Sequence, residues 1–455
     1  MSVGRIAIAD YDATWPAQFE NEAAALRGVL GPRAFRIDHV GSTSVPGLPA
    51  KPIIDMLLVV ADSSDESSYV PRLDAAGYVL RIREPGWYEH RMFNGPRTPV
   101  NVHVFSSGCP EIERMLTFRD RLRQNADDRA IYVQLKRELS QHDWASVDDY
   151  ANAKHAVVAR ILASAGAPID LELAHQLLRE QHADLSELPL SESYAGVDNT
   201  CFRLGDRLAL RFPRRATSAA LIENEQRWLP GLSAELPLPI PAPLRIGRPT
   251  ARFQWPWSVV PWFEGNTALS AVVEDTESLA HALGSFLHAL HRPAPADAPV
   301  NPWRGIDLTG RTELLHRDVK RLGDEIDGEA VLALWPQVLA ARPWQAARLW
   351  IHGDLHPGNL LVDNGRLSAV LDFGDLTAGD PATDLSVAWM LLPHRHRAAL
   401  RGAARSPWNP IDDDTWLRAR GWALALGVSY LANFRGDPIV EVGKATIAAA
   451  LTHDL

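Results

Sequence analysis

The chain is short of cysteine, of unbroken apolar sequence and of positive charge, and each shortage excludes something. Among 455 residues only Cys109 and Cys201 are cysteines. They form no Cys-x-x-Cys pair, which excludes a disulfide framework and a thiolate metal site and predicts reduced thiols. No charge-free apolar run reaches the roughly 18 residues of a membrane span, and the start MSVGRIAIADYDATWP has no signal-peptide core. The expectation is a cytoplasmic protein with no membrane partner. Basic residues number 46 against 56 acidic ones, for a net charge of −10, which is the wrong sign for nucleic acid. Lysine is scarcest: Lys51, Lys136, Lys154, Lys320 and Lys444 complete the set, and every other basic residue is arginine.

What is present reads as a folded protein of more than one domain. The hydrophobic content of 46% and charged content of 22% are ordinary for globular chains and argue against disorder. On a prior of about 150 residues per domain the length predicts two or three domains. Residues 1–167 carry 19 basic and 21 acidic groups, and residues 168–455 carry 27 and 35, so the acidity belongs to the second half.

Residues 1–165 read as mixed α/β. Helical patterns cover 16–30, 112–123, 129–139 and 147–162, and strand patterns cover 34–39, 52–60 and 100–105. The small, Gly/Pro-containing stretch 163–169 predicts a linker. The second domain, 168–455, opens with a helix over 171–181 and a hairpin, 200–204 with 207–212, joined at Gly205-Asp206. A helix over 218–229 and a strand over 257–263 follow. Beyond them the pattern is helical (277–291, 312–322, 329–342), is interrupted over 349–373, and is helical again to the end.

The most informative residues are His352-Gly353-Asp354-Leu355-His356-Pro357-Gly358-Asn359. An Asp followed five residues later by an Asn, after a short apolar strand, joins a carboxylate that accepts a hydroxyl proton to an amide that holds magnesium. Asp372 ends a second strand, 368–371, and a β-hairpin would return it to the same loop. Asn359 with Asp372 is then a sufficient set of hard oxygen ligands for magnesium.

These motifs resemble the aminoglycoside phosphotransferase family, whose fold is that of the protein kinases. The likeness runs from Asp170 to Leu455 through Gly196-Val-Asp-Asn199, Leu208-Ala-Leu-Arg211-Phe-Pro213, Glu223-Asn-Glu225, the loop at 352–359, Leu371-Asp-Phe-Gly-Asp375 and Gly379-Asp-Pro-Ala-Thr-Asp384. The resemblance implies a catalytic base at Asp354 and metal ligands at Asn359 and Asp372. It implies a nucleotide site that includes Asn199, the bracing carboxylate Glu225, and the connector 259–262 with Val260 and Trp262. Asp384 is expected to cap a helix. A strand lysine usually holds the α- and β-phosphates in this lobe, yet none lies between Lys154 and Lys320. Arg211 stands at the matching position, keeps its charge and binds phosphate bidentately, so ATP or GTP is the expected nucleotide. No peptide-docking segment fits between Asp372 and Asp384 and no Ala-Pro-Glu follows, which favours a small-molecule hydroxyl over a protein acceptor. Glu264, Asp375 and the run Asp412-Asp413-Asp414 are candidates for attracting a cationic acceptor, although a charge run is usually a solvated face. Most of the tryptophans are expected in the core.

In the first half, His39-Val-Gly-Ser42-Thr-Ser-Val-Pro-Gly-Leu-Pro-Ala-Lys51-Pro-Ile-Ile-Asp55 joins a Gly-Ser turn to a strand bearing a carboxylate. Such a turn offers N–H groups and a hydroxyl to phosphate. The segment resembles the GrpB family of the nucleotidyltransferase superfamily, as do Asn101-Val-His103, Phe118-Arg119-Asp120, Tyr132 with Lys136, and Tyr150 with Lys154. The resemblance implies phosphate binding at Ser42 and Lys51 and a metal at Asp55. Two-metal transferases place a second carboxylate two residues on; here that residue is Leu57, with Glu89 and His103 as substitutes. The fold class expected is therefore α+β: a nucleotidyltransferase-like α/β domain followed by a bilobal protein kinase-like domain. The activity expected is ATP- and Mg2+-dependent phosphorylation of a small-molecule hydroxyl. The first domain would be a binding module or a second, nucleotidyl-transferring centre.

Overall fold

A computed structural model describes residues 4–5, 7–144, 153–165, 169–195, 198–250, 252–271 and 273–452. Tyr150, Gly196 and Val197 of the motifs, the first part of the helix expected over 147–162 and the centre of the expected linker lie outside the described residues. The packing divides into two units. One comprises Met1–Phe202, Arg211–Ala220 and Gly247–Trp257, and the other Arg203–Leu210, Leu221–Ile246 and Ser258–Leu455.

In the first unit, β1 (Gly4–Arg5) pairs with β7 (Asp143–Trp144), and five strands form the main sheet: β2 (Arg36–Val40), β3 (Ile54–Val60), β4 (Val79–Glu84), β5 (His90–Asn94) and β6 (Val100–Ser106). Their order is β2-β3-β6-β5-β4. The apolar run of β3 is central and runs parallel to β6, as expected of a strand covered on both faces. The helices Trp15–Leu30 and Glu66–Ala75 bring Trp15, Leu26, Tyr69 and Leu73 into one core with Met56, Leu58 and Phe93. A smaller cluster gathers Val45, Leu48, Leu122, Tyr132 and Ile161 from the turn after β2 and from the helices Pro110–Gln124, Ala126–Ser140 and His155–Ala165. The register sets Asp55 beside Asn101 and Leu57 beside His103. Side chains alternate along a strand, so these four share one face of the sheet.

The strands after the helix Leu171–Gln181 are β8 (Leu190–Ala195), β9 (Asn199–Leu204), β10 (Leu208–Pro213), β11 (Arg245–Gly247) and β12 (Trp257–Pro261), in the order β11-β12-β10-β9-β8. The hairpin expected at Gly205-Asp206 is the β9–β10 connection, and Gly205 has the positive φ, +58°, that a tight turn requires.

The second unit is mostly helical around one large core. Its central helix, Asp413–Asn433, is buried on nearly every face from Thr415 to Ala432, as its lack of a polar stripe predicts. Gly427 meets Gly443 of the helix Ile439–Thr452 at backbone distance, since a Cβ at Gly427 would lie 3.1 Å from the Gly443 carbonyl oxygen. The irregular centre comprises β13 (Asn266–Thr267), β14 (Leu349–Ile351), β15 (Leu360–Asp363), β16 (Arg366–Val370) and β17 (Thr377–Gly379). β14 pairs with β17, and β15 forms a hairpin with β16. None of the helices among the described residues is long and apolar enough to cross a membrane.

Candidate active site

The order His-Gly-Asp after β14 has a physical reason at each position. The Asp384 carboxylate is fully buried and accepts from the backbone N–H of His352 at 2.8 Å and of Gly353 at 2.9 Å. His291 lies 3.2 Å from the same carboxylate, and its other ring nitrogen accepts from the Asn409 amide at 3.1 Å, which puts the imidazole proton on the Asp384 side. The expected helix cap at Asp384 is therefore corrected. Asp384 sits inside the short helix Ala382–Leu385, whose N-cap is Pro381, and its carboxylate binds the loop instead. Gly353 has φ +89°, and a Cβ there would lie 2.3 Å from the Asp375 carbonyl oxygen, so only glycine fits. The buried His352 ring accepts from the Asp354 N–H at 3.2 Å and donates to the Leu371 carbonyl at 2.8 Å. This ring ties the loop to the end of β16.

Asp354 faces one cation, Arg304, and one imidazole, His356. Arg304 Nη2 donates to Oδ1 at 2.9 Å, and His356 Nε2 lies 3.5 Å from Oδ2. His356 Nδ1 accepts from the Gly358 N–H at 3.0 Å, so the proton is on Nε2 and points at the carboxylate. Burial opposes the charge of Asp354, but Arg304 and then His356 overcome it and hold the carboxyl well below the usual carboxylate range. Asp375, next to the same arginine, goes the other way. Burial and the charge of Asp354 push its carboxyl up, against the pull of Arg304 at 3.6 Å and of Asn301, which donates to it at 2.7 Å.

The hairpin β15–β16 returns Asp372 to the loop as its spacing predicts. Leu360 pairs with Val370, and the Leu371 N–H donates to the Asn359 carbonyl at 2.8 Å. Asn359 Nδ2 donates to the Asp354 carbonyl at 2.9 Å, which commits the amide nitrogen and leaves Oδ1 as the atom available to a cation. Asp372 has φ +56°, a left-handed conformation that costs a non-glycine residue about 1 kcal/mol or more. One amide oxygen with one carboxylate is a hard oxygen pair that fits Mg2+ completed by phosphate oxygens and water.

Arg304 carries no motif and escapes sequence reading. It sits on the loop 301–307, which is fastened to β17 and the residues after it. Asn301 N–H donates to Thr377 Oγ1 at 2.9 Å, Gly305 N–H to Thr383 Oγ1 at 3.1 Å, and Asp380 N–H to the Gly305 carbonyl at 2.9 Å. A Cβ at Gly379 would lie 2.3 Å from that carbonyl. Two glycines at Gly305 and Gly379 are the only signal the sequence offers for this contact.

The remaining residues expected at the nucleotide are placed as follows. Arg211 on β10 is 6% exposed, and the Asn199 amide, turned oxygen-inward, accepts from its Nη2 at 2.9 Å and Nε at 3.1 Å. Glu225 is buried in the helix Ala216–Ser233. Val260 is buried in β12, and Trp262 follows that strand with the Arg203 guanidinium 5.1 Å from its ring centroid. Apart from Asp375, the acidic groups considered for a cationic acceptor are engaged elsewhere. Glu264 pairs with Arg203 at 2.6 Å, Asp413 with Arg401 at 2.6 Å, and Asp412 and Asp414 with Arg342 at 3.1 and 2.8 Å. Asp412 also caps the helix Asp413–Asn433 by accepting from the Thr415 N–H at 2.8 Å.

In the first unit, Asp55 accepts from Asn101 at 3.0 Å and lies 3.8 Å from His103 Nε2. His103 continues through His90, at 3.1 Å, to Glu84, at 2.7 Å. Burial opposes the charge on Asp55, and His103, Asn101 and Lys154 together hold its carboxyl below the ordinary value. Of the two substitutes for a second carboxylate, His103 is the one beside Asp55, while Glu89 pairs with Arg91 at 3.2 Å. Gly41 admits the carboxylate, since a Cβ there would lie 2.4 Å from Asp55 Oδ2. Ser42 opens the turn Ser42–Ser44 just after Gly41, and Lys51 is exposed.

A helical lobe whose loop after β14 presents an ionised Asp, followed by an Asn and a second Asp on a returning hairpin, is that of a kinase-like phosphotransferase. The family described as phosphotransferase enzyme family, APH, matches residues 192–422, and the GrpB protein family matches residues 5–164. The chain belongs to both, a GrpB domain joined to an APH phosphotransferase domain. UPF0157 protein BH1888 of Halalkalibacterium halodurans is 57% identical over 36% of this chain and 83% of its own length. UPF0157 protein SCO7215 of Streptomyces coelicolor is 44% identical over 36% of this chain and 85% of its own length. The solved GDP complex of wild-type aminoglycoside 2'-phosphotransferase-IIIa is 20% identical, covers 62% of this chain and 99% of that one, and superposes with a TM-score of 0.49.

Proposed function

We propose that the chain transfers the γ-phosphoryl group of ATP or GTP, with Mg2+, to a hydroxyl of a small molecule. The observation that carries this reading is the state of Asp354, an ionised carboxylate fixed by Arg304 and His356 on a loop that Asp384 braces. In the reaction the acceptor oxygen forms a bond to the γ-phosphorus as the bridging β–γ bond breaks and the nucleoside diphosphate departs with that electron pair. The hydroxyl proton goes to Asp354. Because Arg304 makes this carboxylate a weak base, it orients the hydroxyl first and receives the proton only as the new bond forms. Asn359 and Asp372 would hold the metal, which supplies charge neutralisation on the transferring phosphoryl group. By the family resemblance Arg211, oriented by Asn199, would bind nucleotide phosphate in place of the usual lysine, and Glu225, Val260 and Trp262 would have nucleotide-binding roles of their own.

For the GrpB domain, from about residue 1 to 165, we favour a phosphate-binding module with Ser42 and Lys51 over a two-metal nucleotidyltransferase. The specific support is Leu57, fully buried where the second carboxylate would stand. Asp55 remains the position from which any metal or nucleotidyl transfer would be worked.

The test is nucleotide consumption by the full chain against panels of hydroxylated acceptors, with mass spectrometry for a phosphorylated acceptor. Product that retains the nucleotidyl group, lost in Asp55→Ala, would instead place transfer in the first domain.

A further inference from the structure

Four of the buried donors without a hydrogen-bond partner among the described residues are Arg304 Nε, which keeps an ion-pair contact with Asp375 at 3.6 Å, Arg311 Nε, Trp422 Nε1 and Tyr430 Oη. Arg311 and Tyr430 are each 5% exposed, and Trp422 is fully buried. They form one group. The Arg311 guanidinium lies 5.8 Å from the Trp422 ring centroid, and Tyr430, two helical turns beyond Trp422, has its ring 6.0 Å from that of His356. His356 and Arg304 both flank Asp354.

The electrostatics point the same way. Burial, and then the charge of Arg304, push Arg311 down to about 9, with Asp318 the main group opposing them. Asp318 is engaged by Arg317 at 2.9 Å. Tyr430 is pushed up by burial and by Asp354, with Arg304, Asp375 and Arg311 also within reach. A buried guanidinium N–H without an acceptor is costly, and folded proteins rarely leave such a group unsatisfied.

The chemistry of the orphaned atoms selects their ligand. The arginine and tryptophan nitrogens can only donate, so their complement is a cluster of oxygen acceptors, best an anionic one. A polyamine offers donors and positive charge, and would add to the repulsion already present.

We propose that Arg304, Arg311, Trp422 and Tyr430 form the acceptor subsite, and that the substrate carries a carboxylate or phosphate close to the hydroxyl it presents to Asp354. This rests on the phosphotransfer reading above and names its substrate class.

The test measures turnover with ATP and Mg2+ on gluconate, glucose 6-phosphate, glucose and kanamycin, alongside calorimetric binding of the two anions to the full chain. The expected result is turnover and binding with at least one anion, gluconate against glucose 6-phosphate separating carboxylate from phosphate. Arg311→Gln should weaken anion binding and raise the acceptor KM by about ten- to a hundredfold, the size of one charge-assisted contact. Arg311→Lys should restore part of the loss, and Tyr430→Phe, which keeps the ring, should raise the same KM without unfolding the chain. Turnover confined to glucose or kanamycin overturns the subsite and leaves the phosphotransferase standing. Wild type no more active than Asp354→Ala on every acceptor counts against the phosphotransfer reading. The calorimetry then still decides the subsite, and equal anion binding by wild type and Arg311→Gln overturns it.

Discussion

Asp384→Asn is the sharpest structural perturbation available, because it changes one atom type at a fully buried site. The carboxylate takes three contacts: His352 N–H at 2.8 Å and His291 Nε2 at 3.2 Å on Oδ2, and Gly353 N–H at 2.9 Å on Oδ1. An asparagine keeps one oxygen for the His352 and His291 side and turns its NH2 toward the Gly353 N–H, donor against donor. One charge-assisted bond is lost, worth about 1.5–3 kcal/mol, and a buried donor is left unsatisfied at about 1–3 kcal/mol. The sum predicts a loss of about 2.5–6 kcal/mol in urea unfolding, referred to the transition of the helical unit. Because Gly353 precedes Asp354, a shift approaching 1 Å at the base should lower kcat about a hundredfold. A stability loss below about 1 kcal/mol with unchanged kcat would refute the claim that Asp384 braces the catalytic loop.

Other substitutions probe separate parts of the account. Gly353→Ala forces a Cβ to 2.3 Å from the Asp375 carbonyl at φ +89° and should abolish turnover in a steady-state assay while the first domain unfolds normally. Arg211→Ala should raise the nucleotide KM at least tenfold, the order expected for a lost charge-assisted phosphate contact; unchanged nucleotide kinetics would remove Arg211 from the site. Glu66 bonds Arg83 at 2.8 Å and Arg91 at 2.6 Å, and the Arg83 bond leads in pulling its carboxyl down to about 2. Its folded value lies below its unfolded one, so the stabilisation is complete above the unfolded value and fades as pH falls toward 2. Arg83 is largely exposed, so solvent screening reduces the effect to about 1–2 kcal/mol. Glu66→Gln should cost that much at pH 7 and little near pH 2, measured by thermal or urea unfolding across pH.

Much of this arrangement was legible in the sequence. The spacing of Asp354, Asn359 and Asp372 predicted a hairpin return, and β15–β16 provides it because apolar residues flank both ends of the turn Asn364-Gly365. The helices Leu171–Gln181 and Thr312–Leu322 lie where their periodicity put them. The strands β4 and β5 went unread. β4 is largely exposed, and β5 mixes His90 and Arg91 with Met92 and Phe93, so neither shows clean alternation. The helix Glu66–Ala75 carries Pro71, a local signal against helix that the buried Tyr69 and Leu73 override. Asp384 looked like a cap because helix-start aspartates usually are, and only tertiary contact reveals that its carboxylate turns to another loop. Arg311 has no signal at all, and Arg304 has only the two glycines that fasten its loop. Arginine supplies nearly all the positive charge of this chain, and which arginine is buried beside a carboxylate depends on how distant segments meet.

The central claim is that Asp354 is the group that receives the acceptor's proton, and Asp354→Asn tests it most directly. The substitution keeps the side chain's shape and the bond from Asn359 to the Asp354 carbonyl, while it removes the charge that faces Arg304. With an acceptor the wild type phosphorylates, phosphoryl transfer should fall by about two to four orders of magnitude, the range of general-base contributions. Nucleotide binding measured by calorimetry should stay within about threefold, since Asp354 is not among the groups proposed to hold nucleotide or metal. Transfer by Asp354→Asn within about tenfold of wild type would contradict the account.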